Sequence, residues 1–173
     1  MQLKEVNKTL NQFGKYVVSQ SRANLTRGKK NNTKNLWDSI NYTLDQTSAG
    51  PRLYFEMDDY GMFQDQGVRG KKPSLVKNGK QKAPNSKFSF KNKMPPLKPL
   101  IQWAKSKNIR LRDSKGKFKK GSYQTIGFIL QKRIFAQGIK PSLFFTKPFA
   151  KEFKNLPPEL GNSFGIDIEK ILS

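Results

Sequence analysis

The amino-acid sequence predicts an α+β fold, formed by a single domain over residues 1–173. Near the N-terminus, apolar residues recur every three or four positions, which is the spacing of one face of a helix. In residues 53–58, apolar and polar side chains alternate, which is the period of a strand with one buried face. The chain also has 13 Phe, 5 Tyr and 2 Trp. We therefore expect a packed core, despite a mean hydropathy of -0.75.

The first predicted element is a helix over residues 2–25, with Gly28 as its terminator. Its apolar stripe consists of Leu3, Val6, Leu10, Phe13 and Val17. We expect this stripe to pack on the sheet, and a coiled-coil seam with another subunit is the alternative. A short second helix is expected to begin at a Thr33 cap. Its apolar side would gather Leu36, Trp37, Ile40 and Leu44.

Residues 48–51, which read Ser-Ala-Gly-Pro, are expected to break the chain before the strand. In that strand, Leu53, Phe55 and Met57 form the buried face. We expect a turn at residues 59–61 and then a second strand that leaves the core.

Four carboxylates in this region raise the possibility of a magnesium or calcium site, namely Glu56, Asp58, Asp59 and Asp65. Strand spacing would point these side chains to different faces, so we expect neither a metal nor another cofactor. The chain has no Cys and no His, which excludes disulfides, thiolate zinc sites and Ser-His or Cys-His catalytic pairs. We expect no enzymatic activity, and a two-metal nuclease built on the four carboxylates is the only catalytic alternative.

The charge is high and uneven. Lys and Arg number 34 against 12 Asp and Glu, for a net charge of +22, and residues 61–120 alone hold 18 cations and 2 anions. Such a field favours polyanions or acidic protein surfaces as partners. No apolar run approaches the ~20 residues of a membrane span, so we expect no membrane partner and synthesis in the cytosol.

Much of this charge lies in residues 68–95, here called the basic segment. Because it has few apolar residues, we expect it to be a long, mobile excursion between ordered parts. Its cations are the candidate partner-docking or DNA-docking residues: Arg69, Lys71, Lys72, Lys77, Lys80, Lys82, Lys87, Lys91 and Lys93. Phe88 and Phe90 alternate and indicate a short strand or a docking point. A nucleic-acid module with stacking aromatics is the alternative for this segment.

The later elements are mostly helical. We predict a helix from Leu97 to Asn108, then a charged hairpin over residues 109–120 that turns at residues 113–116. A helix capped by Ser122 and ended by Gly138 follows. Residues 138–150 suit an extended segment that enters another helix, with Pro148 in its first turn. The apolar spacing of the C-terminal stretch fits either a helix or a strand.

Three segments, taken in order, resemble the tail-completion or head–tail joining proteins of tailed bacteriophages, which are small neck or minor capsid proteins. The first is Asn35-Leu36-Trp37-Asp38-Ser39-Ile40, and the second is Tyr60-Gly61-Met62-Phe63-Gln64-Asp65-Gln66-Gly67. The third is Gly138-Ile139-Lys140-Pro141-Ser142-Leu143-Phe144-Phe145 with Pro148-Phe149-Ala150. The chain departs from the family pattern in Gln64-Asp65-Gln66, where valine and glutamate are usual, and in the long insertion between Gly70 and Tyr123.

The resemblance implies a small antiparallel sheet packed by a long N-terminal helix and further helices, with the basic segment as a long loop insertion. It also implies a structural virion protein without catalytic activity, located in the neck and assembled in the host cytoplasm. The implied partners are copies of itself in a ring and neighbouring neck proteins, either portal or adaptor and tail tube. Contact with packaged DNA is a further possibility, and a basic nucleic-acid-binding protein without enzymatic activity is the alternative function.

Overall fold

The computed structural model describes residues 3–29 and 33–172, and it has the α+β architecture that the sequence predicts. Its α-helices are α1 (Lys4–Arg27), α2 (Asn35–Ser39), α3 (Tyr60–Gln66), α4 (Leu97–Ser106), α5 (Tyr123–Gln137), α6 (Thr146–Phe153) and α7 (Leu156–Leu172). Its strands are β1 (Asn41–Thr47), β2 (Gly50–Glu56), β3 (Val68–Arg69), β4 (Leu111–Arg112), β5 (Phe118–Lys119) and β6 (Gly138–Ile139). They pair as three antiparallel two-stranded sheets, β1–β2, β3–β6 and β4–β5.

The contacts divide the chain into two compact units. Unit 1 comprises residues 1–61 with 143–173, and unit 2 comprises residues 62–142. This division does not test the prediction of one folding domain over residues 1–173, which stays a prediction.

In unit 1, the long helix α1 packs on the hairpin of β1 and β2. The stripe predicted from its spacing forms the core, with Val6, Leu10, Phe13 and Val17 all buried. Leu53 and Phe55 of β2 pack against this stripe, and Leu156 of α7 completes the cluster. The expected contact between helix and strand is therefore confirmed for both residues. Met57, the third residue predicted for that face, instead packs on a second cluster around Leu25, Leu36, Ile40 and Phe144.

Three details of the predictions for unit 1 are wrong. Lys34, not Thr33, precedes the first residue of α2, and Leu44 lies in β1. Gly50 and Pro51 are residues of β2, where they pair with Thr47 and Gln46. The turn is limited to residues 48 and 49, because a two-residue turn lets β1 and β2 pair along their whole length.

The predicted second strand after the turn is also wrong, since residues 60–66 form helix α3. Gly61 and Asp65, four positions apart, are both buried, and this spacing belongs to a helix rather than a strand. Gly61 also needs to be small, because an added Cβ would lie 2.7 Å from Met57 Sδ and 2.9 Å from Leu36 Cδ1. Packing that depends on Leu36, a residue distant in sequence, outweighed the local pattern.

Unit 2 contains the helix pair α4 and α5. Gly127 of α5 allows a close approach, because an added Cβ there would lie 2.6 Å from Ile101 Cγ1. Both predicted ends of α5 are confirmed. Ser122 Oγ accepts a hydrogen bond from the backbone N–H of Thr125 at 3.1 Å, and Gly138 follows the helix with φ +86°. The predicted hairpin is confirmed as β4 and β5, joined by the turn at Asp113–Gly116.

In the C-terminal part of unit 1, α6 begins near Pro148 as predicted, and the ambiguous last stretch is helix α7. α7 closes on the first turn of α1 through a carboxylate. Asp167 accepts hydrogen bonds from the backbone N–H groups of Glu5 and Val6, each at 3.0 Å. Lys170 Nζ donates to Glu5 Oε1 at 2.9 Å. Leu3, the residue before α1, provides no side-chain cap, and Asp167 supplies an acceptor from the last helix instead.

This arrangement makes stability depend on pH in acid. Burial opposes ionisation of Asp167, but the N–H groups of Glu5 and Val6 outweigh it and lower the pKa of Asp167. The hydrogen bond from Lys170 lowers the pKa of Glu5. A carboxylate with a lowered pKa stabilises the fold above its unfolded pKa, and that stabilisation is lost as the pH falls through the folded value. We expect the melting temperature to fall as the pH drops below about 4.

Thermal melts between neutral and acidic pH, followed by circular dichroism, would check this expectation. Asp167→Asn should lower the melting temperature near pH 6 and flatten its fall in acid. Asp45→Asn, which removes an exposed carboxylate from β1, is the matched control. Equal acid sensitivity in all three proteins would contradict the role of Asp167.

Candidate anion-binding surface

The net charge belongs almost entirely to unit 2. Residues 62–142 hold 21 Lys and Arg against 2 Asp, which gives +19, whereas the rest of the chain holds 13 cations against 10 anions, which gives +3. All 21 cations of unit 2 are exposed. We refer to these 21 side chains together as the basic surface.

The two acids of unit 2 do little to offset this charge. Asp65 is only 1% exposed, so its carboxylate contributes almost nothing to the surface. Asp113 is exposed, but its Oδ1 accepts hydrogen bonds from the backbone N–H groups of Lys115 and Lys117, each at 2.9 Å. That carboxylate holds the turn between β4 and β5. The surface of unit 2 therefore presents a field of one sign, which favours polyanionic partners.

Nine of these cations belong to the basic segment, and the structure places all nine at the surface of unit 2. They are Arg69, Lys71, Lys72, Lys77, Lys80, Lys82, Lys87, Lys91 and Lys93. Two of them make local contacts, since Lys71 Nζ donates to Asn92 Oδ1 at 2.9 Å and Lys87 Nζ lies 5.1 Å from the Phe88 ring centroid.

The basic segment is held to the rest of unit 2 by backbone hydrogen bonds. Its backbone N–H groups at Lys71 and Lys82 donate to the carbonyls of Phe135 and Gln137, each at 2.9 Å. Arg69 forms a β-bridge with Ser89. The Arg69 N–H donates to the Phe88 carbonyl at 2.8 Å, and the Arg69 carbonyl accepts from the Phe90 N–H at 3.0 Å. Ala83 is 3% exposed. The mobility of the segment stays a prediction.

Phe88 and Phe90 provide aromatic contacts between the basic segment and the rest of unit 2. They flank Ser89, and each ring finds an aromatic partner: Phe88 meets Phe63 edge-on at 4.8 Å, and Phe90 meets Phe135 at 5.9 Å. Two well-placed rings bury enough apolar surface to dock a segment that is otherwise polar. The docking-point interpretation is confirmed, and these two rings are engaged within the fold.

A second group of cations, in residues 109–121, is here called the basic hairpin. The sequence analysis indicated the turn but did not identify these cations as candidates. β4 and β5 set Arg112 directly opposite Phe118, and the Arg112 guanidinium lies 4.3 Å from the ring centroid. Arg110 lies 5.6 Å from the same centroid. An Arg-x-Arg strand facing a lone aromatic across a short turn is the signal that could have identified this group.

The four carboxylates considered for a metal site do not form one. Among residues 3–29 and 33–172, no three His, Cys, Asp or Glu side chains are grouped so that they could hold a metal ion. Glu56 and Asp59 are exposed, whereas Asp65 is buried in unit 2. Burial, followed by the charge of Asp58, raises the pKa of Tyr60.

In the described ranges, no helix is long and apolar enough to cross a membrane.

Comparisons of the chain with protein-family models, with curated proteins and with solved structures give no significant match.

Proposed function

We propose that this chain is a structural subunit of a tailed-bacteriophage neck, without catalytic activity, that forms a ring between the portal or adaptor and the tail. The observation that carries the proposal is the packing of the three segments that resemble the tail-completion family. They lie far apart in the sequence, yet each packs on another of the three.

Two of these contacts lie in unit 1. An added Cβ at Gly61, in the second segment, would lie 2.9 Å from Leu36 Cδ1 in the first. Leu36 and Ile40 of the first segment also share a buried cluster with Phe144 of the third, which is 1% exposed. These are the tight contacts that would require small and apolar residues at such positions.

The other contact lies in unit 2 and joins the second and third segments. Ser142 donates from its backbone N–H to the carbonyl of Asp65 at 3.0 Å and from its Oγ to that of Gln64 at 2.6 Å. Next to this pair, Gly67 has φ +72°, and an added Cβ would lie 2.5 Å from the Ile139 carbonyl oxygen. The glycine is needed for both its backbone conformation and its space.

Ring formation needs surfaces on which copies of the chain can contact one another. α7 exposes four apolar side chains along its C-terminal half, namely Phe164, Ile166, Ile171 and Leu172. Phe164 and Ile171, seven positions apart, lie on one face of α7, and exposed apolar side chains that share a face are typical of an interface between subunits. We propose that this part of α7 contacts a neighbouring copy in a head-to-tail arrangement that closes into a ring.

The basic segment is proposed to dock on an acidic surface of a neighbouring neck protein. Its nine cations are exposed, and its aromatic rings already pack within unit 2. It therefore offers charge without free stacking surfaces, which suits carboxylates better than bases.

Mass spectrometry of purified virions tests the proposal directly. The chain is expected among the structural proteins in a copy number that fits a ring, and its absence from the particle would overturn the proposal. The alternative, a nucleic-acid-binding protein that acts outside the virion, is favoured by the +19 charge of unit 2. If that alternative is correct, the chain will be absent from purified virions.

Charge neutralisation tests the docking role. Deletion of residues 71–91 would remove the hydrogen bonds to Phe135 and Gln137 and disturb unit 2. Substitution of Lys77, Lys80 and Lys91 by Gln removes exposed charge and leaves the backbone hydrogen bonds of the segment intact. Three exposed ion pairs at about 0.5 kcal/mol each amount to about a tenfold loss of affinity for an acidic partner.

Incorporation into particles, measured by complementation with the substituted gene, should fall accordingly. The matched control replaces Lys147, Lys151 and Lys154 by Gln, which removes the same number of exposed cations from unit 1. Equal incorporation of the two triple variants would show that the basic segment has no specific docking role.

A further inference from the structure

We propose that the basic hairpin, residues 109–121, is a nucleic-acid contact in which Phe118 stacks on a base while the flanking cations hold the phosphates. The proposal goes beyond the neck function and does not rest on it, because it concerns the binding properties of the hairpin in the purified chain. It differs also from the protein-docking role of the basic segment.

The two faces of the hairpin carry different kinds of side chain. Arg112 pairs with Phe118 and Leu111 with Lys119, so strand alternation places Arg110, Arg112, Phe118 and Lys120 on one face. On the other face, Leu111 is half-buried, and its Cδ1 would lie 2.5 Å from a Cβ added at Gly121. This contact joins the two arms of the hairpin, whereas the ring and the three cations of the first face are all exposed.

Phe118 is 62% exposed, the largest exposure of any aromatic side chain among residues 3–29 and 33–172. Two guanidinium groups contact its ring. The Arg112 guanidinium lies 4.3 Å from its centroid and also donates from Nη1 to the Gly116 carbonyl at 2.8 Å. An exposed ring held beside guanidinium groups is suited to stacking on a nucleobase, and such stacking tolerates any sequence.

The electrostatics favour phosphate at the same place. The hairpin holds six cations, Arg110, Arg112, Lys115, Lys117, Lys119 and Lys120, and one acid. That acid, Asp113, is occupied by the backbone N–H groups of Lys115 and Lys117. Phosphates spaced along a strand can meet several of these cations at once, and the release of counterions then drives binding.

The base of the hairpin is anchored, which keeps this face in position. Ile109 donates its backbone N–H to the Ala104 carbonyl at 2.9 Å, at the end of α4. Tyr123 Oη, at the start of α5, donates to Asn108 Oδ1 at 3.3 Å. Since α4 and α5 pack on each other through Gly127, both ends of the hairpin are held by one helix pair.

The test measures fluorescence anisotropy of the full chain with a labelled dT20 single strand and with a 20-bp duplex, over a series of salt concentrations. For Arg110→Gln combined with Lys120→Gln, the slope of log K against log salt should become shallower by about 1.4 for the single strand and about 1.8 for the duplex. Phe118→Leu should weaken single-strand binding about five- to hundredfold and duplex binding much less.

The matched control for the double variant is Lys147→Gln with Lys151→Gln in unit 1, which removes two exposed cations from α6. Circular dichroism of each variant establishes that it is folded. A salt slope that changes equally in the control and in the hairpin variant would overturn the proposal. So would unchanged single-strand affinity in Phe118→Leu, or competition by polyglutamate as effective as that by unlabelled dT20, which would favour an acidic protein as the partner.

Discussion

Phe13→Ala is expected to lower the free energy of unfolding by about 3–5 kcal/mol, the cost of truncating a buried aromatic side chain. Phe13 is 5% exposed and lies at the centre of the aromatic cluster of unit 1. Its ring meets Phe55 of β2 at 6.0 Å and Phe149 of α6 at 5.6 Å, both edge-on. Truncation removes both contacts and leaves a cavity between a helix, a strand and a second helix. Urea denaturation followed by circular dichroism would measure the loss.

Tyr54→Ala is the matched control, because Tyr54 neighbours Phe55 on β2 but is 44% exposed. Its truncation should cost less than about 1 kcal/mol, since only cross-strand contacts on an open face are lost. Should Phe13→Ala unfold at the same urea concentration as the parent, the apolar stripe of α1 would not be the core of unit 1.

Where local pattern and burial agree, the sequence was sufficient to predict the fold. The apolar stripe of α1 consists of five residues that are three or four positions apart. This spacing puts them on one face of the helix, and that face packs in the core. Ser122 and Gly138 mark the ends of α5 through chemistry that belongs to the residues themselves, a side-chain acceptor and a positive φ. Such signals need no knowledge of distant partners.

The predictions failed where a distant partner decides. Residues 60–66 fold as a helix because Gly61 packs against Leu36, about 25 positions earlier in the chain. The sequence also left open what Phe88 and Phe90 contact, and in the structure their rings meet Phe63 and Phe135. The composition of the basic segment shows two aromatic rings among many lysines, but it does not show that each ring packs against another aromatic ring.

The candidate site was foreseen only in part. The sequence identified the nine cations of the basic segment as candidate docking residues, and all nine are exposed. It did not show that Lys132 and Arg133 of α5 and Lys140 after β6 belong to the same compact unit, which raises that unit to +19. The contact between Phe118 and Arg112 also depends on strand register, which places the two residues opposite each other.

Gly138→Ala is expected to destabilise unit 2 by on the order of 3–4 kcal/mol. Gly138 has φ +86° and ψ -174°, a backbone conformation that is almost exclusive to glycine. An added Cβ would collide with the Val68 carbonyl oxygen and would lie 2.6 Å from the Gly70 backbone nitrogen. Both obstacles are backbone atoms, one in β3 and one in the residue that follows it, so they cannot rotate away as a side chain could.

The same substitution should release the basic segment, because Arg69 pairs with Gly138 and begins the run of nine cations. Gly161→Ala is the control. Gly161 lies inside α7 with no heavy atom within 4 Å of an added Cβ, and alanine there should stabilise the helix by about 0.5–1 kcal/mol. Urea denaturation and limited trypsin digestion together separate the outcomes. If Gly138→Ala resists both as well as the parent does, the pairing of β3 with β6 does not hold the basic segment in place. Faster cleavage confined to residues 69–93, with Gly161→Ala unaffected, is the expected result.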